Sequence, residues 1–139
     1  MNESDLIDHI YSTIADPTRW SEVIVRISDY LGALGGMVAY IAPERRVLAV
    51  YGRLSEERAK IFEQHYVWNP WALIMRDVPV DKVVIANSLL EPGVIFKTGH
   101  YADVLVPQGI ENALHTKHKA LVRDGGYGGF GFYLSSRGS

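Results

Sequence analysis

Four large aromatic side chains, Phe62, Tyr66, Trp68 and Trp71, fall in the run Phe62-Glu63-Gln64-His65-Tyr66-Val67-Trp68-Asn69-Pro70-Trp71. Each such ring carries ~150–250 Å² of surface that the core, a ligand or a partner must cover. The residue types suit small-molecule binding. Tyr66, Trp68 and Trp71 would give an apolar wall and the Asn69 amide a polar anchor, the usual make-up of a small-molecule pocket. The same rings would also serve as core packing on a sheet with Asn-Pro as a plain helix stop, or as a protein interface, where Trp and Tyr are favoured. All three readings stay open on the residues alone.

The histidines offer less. His115 and His118 share a face only on a helix, and here they fall in a β-rich stretch, where a spacing of three sends them to opposite faces. His100 and Asp103 would extend them to a metal set, but nothing in the spacing makes the four converge, so no metal site is assigned. A small enzyme would need His100, Asp103 and His115 around one open cleft. No Ser/His/acid arrangement and no carboxylate pair in an apolar setting stands out. No catalytic residue is assigned and no cofactor is expected. The run Gly125-Gly126-Tyr127-Gly128-Gly129-Phe130-Gly131 leads into a strand and lacks the Lys-Ser/Thr and following helix of a phosphate loop. It reads as a turn and a strand whose glycines admit a close neighbour, helix or ligand.

Composition sets the outer bounds. At 139 residues with 47% apolar and 11% aromatic content, the chain suits one domain with a real core. A net charge of −2 gives no general attraction to nucleic acid or anionic lipid. With no cysteine there are no disulfides, thiolate catalysis or cysteine metal sites. The start Met1-Asn2-Glu3-Ser4-Asp5 is acidic and polar, unlike a secretion signal, and no apolar stretch approaches the ~20 residues a membrane helix needs. A soluble cytoplasmic protein with no membrane contact is expected.

These residues need elements to hold them. Ser4 can cap a first helix carrying Leu6, Ile7, Ile10, Tyr11 and Ile14. Asp16-Pro17 breaks it, and a second helix over 18–31 aligns Trp20, Val23, Ile24, Ile27, Tyr30 and Leu31 in one stripe, a natural dimer surface. Residues 37–41 and 47–51 form a hairpin. Ser55 caps a third helix that runs to the aromatic run, and a short helical turn follows Pro70. Residues 83–86 read as a short strand and Asn87-Ser88 as a turn or cap. The stretch 96–105 is helical from about His100, and Pro107-Gln108-Gly109 ends it. A second hairpin joins 113–122 to 127–135 through Arg123-Asp124-Gly125-Gly126. Helices between two hairpins imply an α+β fold, an antiparallel sheet of about five strands flanked by helices.

Several phrases, in order, resemble the sensory domain found at the N-terminus of LuxR-type helix-turn-helix transcriptional regulators. Asp16-Pro17-Thr18-Arg19-Trp20 follows a first amphipathic helix, as in that family. Gln64-His65-Tyr66 leading to Asn69-Pro70-Trp71 is similar to its "HY…DPW" segment. Residues 83–88 resemble its "G-x-V…S" stretch, with Asp81-Lys82 in place of the glycine. Thr98-Gly99-His100-Tyr101-Ala102-Asp103-Val104-Leu105-Val106-Pro107-Gln108-Gly109 resembles its "T-x-F-Y-x-D-x-L-x-P-x-G". Arg123-Asp124-Gly125-Gly126 resembles the turn between its last two strands. The match spans roughly residues 6–135.

The resemblance implies a PAS/GAF-like domain that senses a small molecule for a transcription regulator. It also implies a homodimer that reaches DNA only through a helix-turn-helix domain missing from this chain. Residues 1–136 are expected to be that single domain, a piece of a longer regulator, with 137–139 as an added tail. The ligand-binding residues expected are Tyr66, Trp68, Asn69, Trp71, Phe96, His100 and Tyr101. His100 replaces an aromatic of the family phrase and would bring a polar group to a pocket lined by Phe96 and Tyr101. The segment is also similar to autoinducer-binding domains, where an Asp accepts from the ligand amide. Asn69 lacks that charge-assisted bond, and Glu56 and Lys60 stand where aromatics are found, which points away from an acyl-homoserine lactone. The alternative from a different class is a ligand-free dimerisation module with a fully packed interior around Trp68 and Trp71.

Overall fold

The computed structural model of the chain describes residues 19–135. The expected first helix, with Leu6 to Ile14, and the Asp16-Pro17-Thr18 phrase lie outside the described residues. Helix α1 spans Trp20–Leu31 and ends at Gly32, whose left-handed φ of 71° suits glycine. Strands β1 (Gly35–Ile41) and β2 (Val47–Gly52) form the first hairpin. Helix α2 (Glu56–His65) starts where the Ser55 side chain accepts from the Arg58 N–H. Helix α3 (Pro70–Met75) starts in the same way, with Asn69 accepting from the Ala72 N–H and Pro70 in the first turn.

The middle of the chain is a series of short turns. Strand β3 covers Val83–Ile85, and Ala86 already belongs to a 3₁₀ turn, Ala86–Leu89. The helix expected from His100 is a π-helical segment, Tyr101–Leu105, which continues into a 3₁₀ turn, Val106–Gln108. Strand β4 (Asn112–Lys117) is shorter than the expected 113–122. The physical reason is local: the His118 imidazole accepts from the Ala120 N–H and folds Lys119–Leu121 into a 3₁₀ turn, although Leu121 and Val122 look like strand residues. Strand β5 (Tyr127–Leu134) ends the described fold.

All five strands pair antiparallel in the order β2-β1-β5-β4-β3, so the fold is α+β with helices on the sheet. One face meets α1. Val23 and Ile24 are fully buried there, and Ile24 packs with Phe132 and Leu134. The helix approaches closely because β2 ends in glycine: a Cβ on Gly52 would lie 2.8 Å from Ile24 Cγ2. The α1 stripe is thus largely used on the sheet, leaving Tyr30 and Leu31 exposed at its end. The opposite face carries the larger core, which joins Phe62 of α2, Trp71 of α3, Val104, Leu105, Ile110, Ala113 and Tyr133. Among the described residues no helix is long and apolar enough to cross a membrane.

Candidate functional site

The larger core is not filled throughout. Strand β5 lies between β1 and β4, and two of its residues on the α2/α3 side are Gly129 and Gly131. In register, Gly131 stands between Met37 and His115, and Gly129 between Ala39 and Lys117. Two successive rows of the sheet therefore have no central side chain. Gly131 is required by its neighbour, since a Cβ there would sit 3.0 Å from His115 Cε1. Phe62, Trp71, Met75, His100 and Leu105 roof this bare strip, and Tyr127 and Tyr133 stand at its ends. Water centres have about 80 Å³ of free volume between floor and roof. A single water takes ~10–15 Å³ on that measure, so the space suits several waters or one compact ring. Native interiors hold few voids of this size.

The polar atoms around the cavity divide into committed and free. Asn69 spends its amide on backbone, accepting from the Ala72 N–H at 3.1 Å and donating to the Tyr66 carbonyl at 2.7 Å. Gln108 does the same, accepting from the Ser55 N–H and donating to the Val104 carbonyl, both at 2.9 Å. By contrast, His100 Nδ1 and His115 Nε2 are fully enclosed and have no hydrogen-bond partner among the described residues. Buried polar atoms are nearly always paired, so two orphans on one cavity mark the place where a partner fits.

The two imidazoles flank one indole. His100 meets Trp71 edge to face with centroids 5.7 Å apart, and His115 meets it at 5.8 Å. Tyr133 lies almost parallel to Trp71 at 6.3 Å. Burial lowers both histidines to about 4, and for His100 the nearby His115 adds to the effect. Both are therefore neutral at pH 7, each offering one donor and one acceptor. Burial also raises the Tyr133 phenol, which stays protonated.

The expected site residues separate into those on the cavity and those off it. Trp71, Asn69 and His100 line it, with the Asn69 amide already used as a helix cap. Tyr66 does not line the cavity; its ring packs on the larger core and lies 6.2 Å from His100, and its hydroxyl donates to the Asp103 carboxylate. Trp68 packs on Tyr127 at 6.5 Å and lies under the Arg76 guanidinium at 5.4 Å. Phe96 and Tyr101 pair edge to face at 4.9 Å; Tyr101 packs on the larger core without lining the cavity, and Phe96 is 48% exposed beside a second hollow between residues 87 and 96.

Of the histidine and acid set, only His100 and His115 converge. Asp103 is exposed and His118 lies in the turn after β4. Among the described residues no group of three metal-ligating side chains comes together. Sequence reasoning missed His115, Lys117 and Tyr133 as cavity residues. Their signal was available in part: Ala113, His115 and Lys117 alternate with Leu114 and Thr116, which puts the first three on one face. Nothing local says which face is the inner one.

The chain matches no family model, and no curated protein is similar to it in sequence.

Proposed function

We propose that this chain is the ligand-sensing domain of a bacterial LuxR-type transcriptional regulator, binding a small molecule between the sheet and α2/α3. The observation that carries the reading is the cavity over Gly129 and Gly131, bordered by two neutral imidazoles with unpartnered nitrogens. An apolar space with a few convergent polar atoms is the common form of a small-molecule site. The ordered phrases from Asp16-Pro17 to Arg123-Asp124-Gly125-Gly126, together with the α+β fold, support the regulator role. DNA contact would belong to a helix-turn-helix domain outside this chain.

The mechanism is a population shift. A ligand that fits one arrangement of α2, α3 and the π-helical segment better than another moves the equilibrium by its difference in affinity. The reading as a ligand-free dimerisation module draws on a fully packed interior around Trp68 and Trp71; Trp68 is packed on Tyr127 and Arg76, whereas Trp71 borders free volume, which favours the sensing function. The test is a thermal-shift screen of small molecules on the chain and on Ala39→Phe, which fills the cavity from β1. Ligands that stabilise the first and not the second support the sensing function. Equal shifts on both proteins would place binding elsewhere and refute this site. Trp68→Ala, on a residue that does not line the cavity, is expected to leave the shifts in place.

A further inference from the structure

Lys117 is 7% exposed and lines the cavity, yet no carboxylate lies within 4.0 Å of it among the described residues. Its ammonium donates to the Arg76 carbonyl at 2.8 Å and lies 5.5 Å from the centre of the Tyr127 ring. That commits one of three donors. A buried cation held by one neutral carbonyl and one ring is poorly compensated, because a charge taken out of water needs an opposite charge as well as hydrogen bonds. Among the described residues no Asp or Glu lines the cavity, so none of them supplies such a charge there. An anionic group in the cavity would.

The other end of the cavity asks for something different. His115 and Lys117 are on one face of β4, two residues apart, which separates them by roughly 7 Å along the strand. A single benzene ring substituted at both ends has about that span. The indole of Trp71 and the Tyr133 ring, 6.3 Å apart, offer flat apolar surface at this level. At the histidine end, the neutral imidazoles leave His100 Nδ1 and His115 Nε2 without partners. A hydroxyl both donates and accepts, so one such group serves a nitrogen of either kind.

Resting on the sensing function proposed above, we infer that the cavity selects a compact aromatic carboxylic acid bearing a hydroxyl group. The carboxylate pairs with Lys117 Nζ, the ring lies against Trp71, and the hydroxyl meets His100 Nδ1 and His115 Nε2. Neither Gly129 nor Gly131 can carry a side chain, since a Cβ on the first would collide with the Thr116 carbonyl and one on the second would press on the His115 imidazole, so the floor beneath the ring stays low. The ligand returns to Lys117 the charge partner the fold lacks, and to the histidines the bonds they lack.

The test is isothermal titration of the 139-residue chain at neutral pH with three probes: 4-hydroxybenzoate, 4-hydroxybenzamide and benzoate. The acid is expected to bind about tenfold or more tighter than the amide, which lacks the charge, and than benzoate, which lacks the hydroxyl. In Lys117→Met the acid-over-amide preference is expected to fall to about threefold or less, while Lys117→Arg keeps most of it. Thermal melts of both variants check that they are folded, and if Lys117→Met is not, the three probes on the unsubstituted chain decide. An amide that binds as tightly as the acid, or an acid whose affinity is unchanged in folded Lys117→Met, overturns the carboxylate assignment and leaves the sensing function standing. No binding of any of the three overturns this ligand class. The sensing function falls with it only if the thermal-shift screen, which covers other chemistries, is also empty.

Discussion

The Trp71 indole N–H donates to Asn87 Oδ1 across 2.8 Å, so the ring that borders the cavity is fixed by a residue from the turn after β3. Asn87 is itself held from two sides. Its Nδ2 donates to the Glu111 carbonyl at 2.7 Å, and its backbone N–H donates to Asn112 Oδ1 at 3.0 Å. One amide thereby links α3, the post-β3 turn and the start of β4. The orientation of Trp71 against His100 and His115 depends on that link.

Asn87→Ala is expected to leave the indole N–H and the Glu111 carbonyl unpaired at a half-buried site. The cost should be about 1–3 kcal/mol, the usual penalty for stranded polar groups. Urea denaturation of the two proteins reads it directly. A loss below about 0.5 kcal/mol, the size of an ordinary surface change, would mean that the link does not hold Trp71.

Asn69 is the second structural asparagine. Its two amide ends cap α3 and bind the Tyr66 carbonyl. Asn69→Ala should cost about 0.5–2 kcal/mol, as caps do, and Asn69→Ser less, because a hydroxyl keeps the acceptor for Ala72 without placing a charge beside the Tyr66 carbonyl. The order of the two variants in a denaturant series checks this. If Asn69→Ser is no better than Asn69→Ala, the cap is not the main role.

Gly131→Ala places a methyl 3.0 Å from His115 Cε1 and tilts or displaces that imidazole. Overpacking of this kind costs typically ~1–3 kcal/mol. The variant should also shrink the cavity, so any ligand found by the thermal-shift screen should bind it more weakly. An unchanged melt together with unchanged ligand affinity would contradict the floor described for the site.

Acid should destabilise the fold through the two buried histidines. Their folded values near 4 lie below the ordinary value of 6.5, so the unfolded chain binds more protons once pH falls below 6.5. Their contribution is complete above that value and declines as pH drops toward 4, by up to ~1.4 kcal/mol per pH unit for each histidine. Stability measured between pH 6.5 and 5 is therefore expected to fall less steeply in the double variant His100→Phe/His115→Phe. Parallel slopes in the two proteins would show that these imidazoles are not buried neutral.

Much of the frame was legible because its signals are local. Ser55 and Asn69-Pro70 announce two helix starts through their own side chains, and Asp124-Gly125 announces the turn into β5. The end of β4 was not legible, since the capping bond from His118 overrides a stretch whose Leu121 and Val122 favour a strand. The site was half legible. Trp71 and His100 fall where the aromatic run and the family-like phrase place them. Phe96 is exposed and Tyr101 packs on the larger core without reaching the cavity, in a segment of 3₁₀ and π turns whose angular step differs from the α-helical one. His115 and Lys117 were hidden for another reason. Alternation shows that they share a face with Ala113, but only the packing of α2 and α3 decides that this face is inside.

The most direct measurement is native mass spectrometry of the chain purified from cells of its own source, compared with Ala39→Phe prepared in the same way. The expected result is a fraction of the unsubstituted chain carrying one added small-molecule mass, released on denaturation and missing from the variant. The bare chain mass alone, in both proteins and after incubation with an extract of the same cells, would contradict a sensing role for the cavity beneath Trp71.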